Sequence, residues 1–92
     1  MSSNRPEITI EFFAIPRQKA GRRELRLHAE NLRAALWEVV AHCPGLAGLC
    51  RSDGSPAPQY LVSLDGERFL TDPEEPLRPG DRILVLSADA GG

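Results

Sequence analysis

Only one stretch of this 92-residue chain carries a helical hydrophobic period. Leu32, Ala35, Leu36, Val39, Val40 and Cys43 fall at i, i+3, i+4, i+7, i+8 and i+11, which is one apolar stripe of an amphipathic helix. Asn31 stands in front of it as an N-cap, and Pro44-Gly45 stops it. About twelve residues give roughly 18 Å of helix, enough to cross a small sheet once. Trp37 lies about 100° round from Leu36 and so sits at the edge of the stripe. Elsewhere the apolar residues alternate with a period of two, the mark of half-buried strands. A lone stripe needs one sheet face to bury against, so the chain is α+β, with a helix across one face and the other face open.

The strands follow from that alternation. Ile8–Ile15 reads as the first, with Ile8, Ile10 and Phe12 inward and Pro16 ending it. Gln18-Lys19-Ala20-Gly21 supplies a turn, and Glu24–His28 returns with Leu25 and Leu27 inward, a loose hairpin. Leu46–Pro58 is rich in Gly, Ser, Pro and Asp and reads as a surface loop insertion. Gln59–Leu64 is a third strand closed by an Asp65-Gly66 turn, and Glu67–Leu70 a short edge strand. Asp72–Leu77 holds too many prolines for anything but a turn or one 3₁₀ turn. Pro79-Gly80-Asp81 leads into the last strand, Arg82–Leu86. The sheet thus has four to five strands.

Parity then sorts the two faces. Ile83 and Val85 belong under the helix with Ile8, Ile10, Phe12, Tyr60, Val62 and Leu64. The last strand is apolar on both parities, which places it centrally. Its other side, Leu84 and Leu86, joins Phe13 and Leu61 as an apolar patch on the open face. A cluster of that kind marks a contact site rather than scattered surface leucines.

Length and charge set further limits. Ninety-two residues make one domain, with 1–7 as a flexible lead, 8–88 as the folded body and 89–92 as a flexible tail. A net charge of −2 gives no reason to expect nucleic acid. No stretch approaches a membrane span and no leader opens the chain, so a cytoplasmic protein is expected. Cys43 and Cys50, with His28 and His42, fit no zinc spacing, so the thiols are expected reduced and no metal is expected. Arg22, Arg23 and Arg26 form a basic cluster read as a solvated hairpin edge, and Lys19 is the sole lysine.

Certain residues carry a resemblance. Phe12-Phe13-Ala14 followed by Pro16-Arg17 and Gly21, the helix Leu32–Cys43 with Pro44 and Leu46 beyond it, Val62-Ser63-Leu64-Asp65-Gly66, and Leu77-x-Pro79-Gly80-Asp81-x-Ile83 lead to a final Gly91-Gly92. In order and spacing they resemble the ubiquitin-like sulfur-carrier family (MoaD/ThiS-like), most of all the small subunit of molybdopterin synthase. The resemblance covers nearly everything from Ile8 onward. It departs from the family at Asp65, where asparagine is usual, and in the tail Ser87-Ala88-Asp89-Ala90, where proline and valine are common.

The resemblance implies a β-grasp fold and a carrier that is not itself an enzyme. The Gly92 carboxylate, behind Gly91, would be adenylated by an E1-like enzyme spending ATP, and a persulfide sulfurtransferase would supply sulfur to form a thiocarboxylate. Molybdopterin biosynthesis, with its synthase large subunit as partner, is the pathway it suggests; no cofactor would be bound by the carrier. Phe13, Leu61, Leu84, Leu86 and Ala90 would meet the partner. A protein modifier joined to targets through Gly92, a carrier for cysteine or thiamine biosynthesis, and a β-grasp interaction module are the alternatives. A β-grasp ferredoxin is excluded, since its cluster needs four thiolates and this chain has two cysteines.

Overall fold

A computed structural model describes residues 5–88. The first strand, β1, spans Glu7–Phe12, and its Ile8, Ile10 and Phe12 are all buried. It is followed by a short helix, α1, at Ile15–Ala20. This corrects the expected strand to Ile15 and open turn. Pro16 is not a breaker here, because at the first turn of a helix it lacks no intrahelical partner and its fixed φ already suits the helix. Gly21, left-handed at φ 75°, ends α1, its N–H donating to the Arg17 carbonyl.

Strand β2 runs Glu24–His28 with Leu25 and Leu27 inward. The main helix, α2, covers Leu32–His42, and the Asn31 side chain accepts the Ala34 N–H at 2.9 Å, as a cap should. Leu32, Ala35, Leu36 and Val39 are buried, whereas Trp37 is half exposed under the Arg33 guanidinium.

The stretch 46–58 is not a surface insertion. After a 3₁₀ turn at Pro44–Leu46, the side chains of Leu46 and Leu49 are fully buried and Ala57 nearly so. Its backbone closes on itself, with Ala57 N–H donating to Leu49 O and Arg51 N–H to Ser55 O. Arg33 ties it to the helix by donating to Asp53 O while pairing with Glu74. Gly45 lies so close to the Lys19 carbonyl that a Cβ there would collide with it. The polar composition concealed two leucines spaced i, i+3 that belong to the core.

Strand β3 is Tyr60–Leu64, β4 is Arg68–Phe69 and β5 is Arg82–Ser87. The sheet has five strands in the order β2-β1-β5-β3-β4. Strand β5 is central, parallel to β1 and antiparallel to β3, with Ile83 and Val85 fully buried beneath α2. A helix across one face and a mixed sheet with a parallel central pair give the expected α+β architecture.

Candidate functional site

The open face is graded from polar to apolar. On its β1 side, Glu11 is held by Arg82 at 2.6 Å, with Thr9 beside Arg82 in the parallel register. That ion pair engages the carboxylate of Glu11, the register partner of Leu84 on the neighbouring strand. Across β5 the surface turns apolar. Leu86 is paired with Leu61, and Leu84 with Ser63.

Ser63 is paired in turn with Phe69, which is 62% exposed. Ser63 itself is only 5% exposed although it faces away from the helix, because leucine and phenylalanine side chains flank it. Ser63, Phe69, Leu84 and Leu86, with Gly66, Glu67 and Arg68, line an open hollow of about 320 Å³. The structure therefore brings together Leu61, Leu84 and Leu86, places Phe13 on the same face beyond the end of β1, and adds Phe69.

The turn residues alone did not reveal Phe69. The turn Leu64–Glu67 is closed by Glu67 N–H donating to Leu64 O, with Asp65 at φ 55° and Gly66 at φ 75°. A two-residue turn of that kind would set Arg68 opposite Ser63, but the observed pairs are Leu64 with Arg68 and Ser63 with Phe69. Glu67 is thus an extra residue on the second strand, and it is this one-residue shift that puts Phe69 opposite Ser63. Phe13 sits at the border of the patch, 5.8 Å from the Arg17 guanidinium, whose Nε donates to the Phe12 carbonyl.

At the far end of β5 the chain leaves the sheet beside β3, where Ala88 N–H donates to Gln59 O at 2.9 Å. Ile15, half exposed, borders a smaller hollow of about 180 Å³ there with Lys19, Gln59, Tyr60 and Ser87. Lys19 Nζ donates to the Tyr60 hydroxyl at 3.4 Å and lies over its ring. Ala90, Gly91 and Gly92, together with Asp89, lie outside the described residues. Cys43 and Cys50 are free thiols; burial pushes both upward, Arg22 partly opposing this at Cys43 and Asp53 adding to it at Cys50. Among the described residues no three His, Cys, Asp or Glu side chains gather as a metal site. Nor is any described helix long and apolar enough to cross a membrane.

No family model matches the chain, and no curated protein matches it in sequence. Solved structures do. The solution structure of small archaeal modifier protein 1 from Methanosarcina acetivorans superposes with a TM-score of 0.81 at 23% identity, over 98% of this chain and 100% of that one. The crystal structure of the Haloferax volcanii protein of that name gives 0.77 at 23% identity, over 94% and 99%. A Pyrococcus furiosus protein assigned as subunit 1 of molybdopterin converting factor gives 0.70 at 19%, over 89% and 97%. The chain is a β-grasp protein.

These neighbours fall in the group its motifs resemble. In β-grasp terms, α2 is the grasped helix, and the graded sheet surface is the face it leaves uncovered.

Proposed function

We propose that this β-grasp chain is a ubiquitin-like sulfur carrier, a co-substrate rather than an enzyme, working through the Gly92 carboxylate. One observation carries the reading. The central strand β5 bears Leu84 and Leu86 on the uncovered face and delivers the chain, at Ala88, to the sheet's rim beside that apolar surface. A partner that docks on Leu61, Phe69, Leu84 and Leu86 thereby receives the segment leading to Gly91-Gly92.

A carboxylate is a poor electrophile, so sulfur transfer requires activation. An E1-like enzyme would join the Gly92 carboxylate to the α-phosphorus of ATP, releasing pyrophosphate and leaving an acyl-adenylate. Hydrosulfide, freed from a sulfurtransferase persulfide by a thiol reductant, would then attack the acyl carbon. AMP leaves and a thiocarboxylate remains. The carrier's part is positional: apolar anchors worth roughly 1.5–3 kcal/mol each when fully buried hold the body, offsetting the cost of ordering the tail at the reacting phosphorus. Glycine at the last two positions lets the backbone adopt the angles that a narrow channel imposes. Molybdopterin synthesis, with the synthase large subunit as recipient, is the pathway proposed, supported by the motif resemblance and by the converting-factor neighbour.

A second reading has its own support, since two of the neighbours are modifier proteins. There the same activated Gly92 would be joined to an amine on a target protein. One experiment separates them. The protein is incubated with ATP, E1-like enzymes of its own organism and a persulfide donor, and its intact mass is measured. Exchange of one oxygen for one sulfur, lost when Gly92 is deleted, is the carrier result. Conjugates that survive reducing denaturation are the modifier result, and an unchanged mass with no conjugates overturns both.

A further inference from the structure

Strand β2 forms one edge of the sheet, and among the described residues no other strand pairs with its outer side. Antiparallel pairing with β1 decides which backbone groups remain there. Phe12 N–H donates to Arg23 O, and Ala29 N–H to Pro6 O. With Ile10 opposite Leu25 and Ile8 opposite Leu27, the odd-numbered residues of this strand spend their N–H and C=O groups on β1. The amides and carbonyls of Glu24, Arg26 and His28 therefore point outward.

Alongside this edge, between β2 and α2, lies an open hollow of about 540 Å³ lined by Arg5, Arg26, Leu27, His28, Glu38 and His42. Two guanidiniums and two imidazoles meet one carboxylate there, and Glu38 already lies 3.7 Å from His42 Nδ1. With the imidazoles neutral, Arg22, Arg23 and Arg26 against Glu24 still give this strand and its lead-in a positive excess in a chain of net charge −2. The opposite edge, β4, has only two residues and offers no comparable template.

We propose that the β2 edge receives an extended acidic segment of a partner protein as a sixth strand. Its backbone pairs with Glu24, Arg26 and His28, and its carboxylates lie against Arg26 and the imidazoles of the hollow. Backbone pairing supplies affinity and the flanking charges supply selection. A second copy of the chain is a poorer occupant. Antiparallel pairing of two β2 edges about Arg26 would set the two Arg26 guanidiniums directly opposite each other, a like-charge contact of the kind that keeps native edges from pairing with themselves. The proposal rests on the fold alone and is independent of any chemistry at Gly92.

The test is a titration of the full-length ¹⁵N-labelled protein with a blocked peptide of alternating valine and glutamate, about eight residues long, the span of an ordinary strand. The amides of Glu24, Arg26 and His28 are expected to shift and to gain protection from hydrogen exchange, with Leu25 and Leu27, already bonded, nearly unchanged. Arg26→Gln should weaken binding about two- to five-fold, the value of a surface ion pair. Arg26→Pro should abolish it, because that N–H serves no internal bond; should that variant misfold, the alternating pattern and Arg26→Gln still decide. Equal binding of a matched control peptide with lysine in place of every glutamate, shifts without the even-residue alternation, or no response at the edge would overturn the proposal. Shifts at the same amides with protein concentration alone would overturn it in favour of self-pairing.

Discussion

Ala14 adopts φ 54° and ψ −126° just before α1, a left-handed conformation that places the Cβ of any residue but glycine under strain. The position redirects the chain from β1 into the helix, and the strain is the local cost of that bend. Ala14→Gly removes the Cβ at the expense of extra freedom in the unfolded chain. It is expected to stabilise the fold by about 1 kcal/mol, seen as a thermal midpoint roughly 4–8 °C higher for a domain of this size. Cys43 belongs to the same scale. Burial holds its thiol above the ordinary range, so the folded state keeps the proton longer than the unfolded chain. Its contribution is complete below the unfolded thiol value, about 8.5, and is lost as pH rises beyond it. Denaturant titrations should show stability falling more steeply above that pH in the native protein than in Cys43→Ala.

At the scale of elements, the stretch 46–58 behaves as a piece of core joined by short turns. Leu49 is fully buried, so Leu49→Ala should cost about 2–5 kcal/mol, as for other buried leucines. A midpoint unchanged in denaturant would mean the segment is the dispensable insertion its composition suggests. Gly45 is the contact point between α1 and the 3₁₀ turn, and the backbone of Lys19 leaves no room for a methyl group. Gly45→Ala should destabilise by about 1–3 kcal/mol, with chemical-shift changes concentrated in α1 and residues 44–50. The helix α2 needed no such correction, because its stripe, its Asn31 cap and its proline stop agree with one another.

For the whole molecule, α2 covers one face of the five-stranded sheet and leaves the other open, and that face is where docking is proposed. Leu84→Asp should leave the fold intact, because its side chain points away from the helix and α2 covers Ile83 and Val85 instead. The same variant should lower the rate of thiocarboxylate formation about ten- to hundred-fold, the loss of one buried leucine anchor. A native-like spectrum with undiminished activation would remove this face from the docking surface. An unfolded variant would place Leu84 in the core.

Several features were settled by local pattern. The period of 3.6 over Leu32–Cys43, the alternation in β1, β3 and β5, and the two-sided apolar character of Arg82–Leu86 determine a sheet with α2 across one face and β5 at its centre. They do so because hydrophobic periodicity reports directly which side of an element meets water. The patch Leu61, Leu84 and Leu86 follows from the same parity. Tertiary packing alone decided the rest. Pro16 begins a helix instead of ending a strand because Ala14 turns the chain first. Leu46 and Leu49 are core within a polar stretch because α1 and α2 leave space for them. Phe69 joins the open face only through a hairpin register, and the outward amides of Glu24, Arg26 and His28 exist only because β1 takes the neighbouring ones. Periodicity describes a residue's own element, whereas these features depend on which second element arrives beside it.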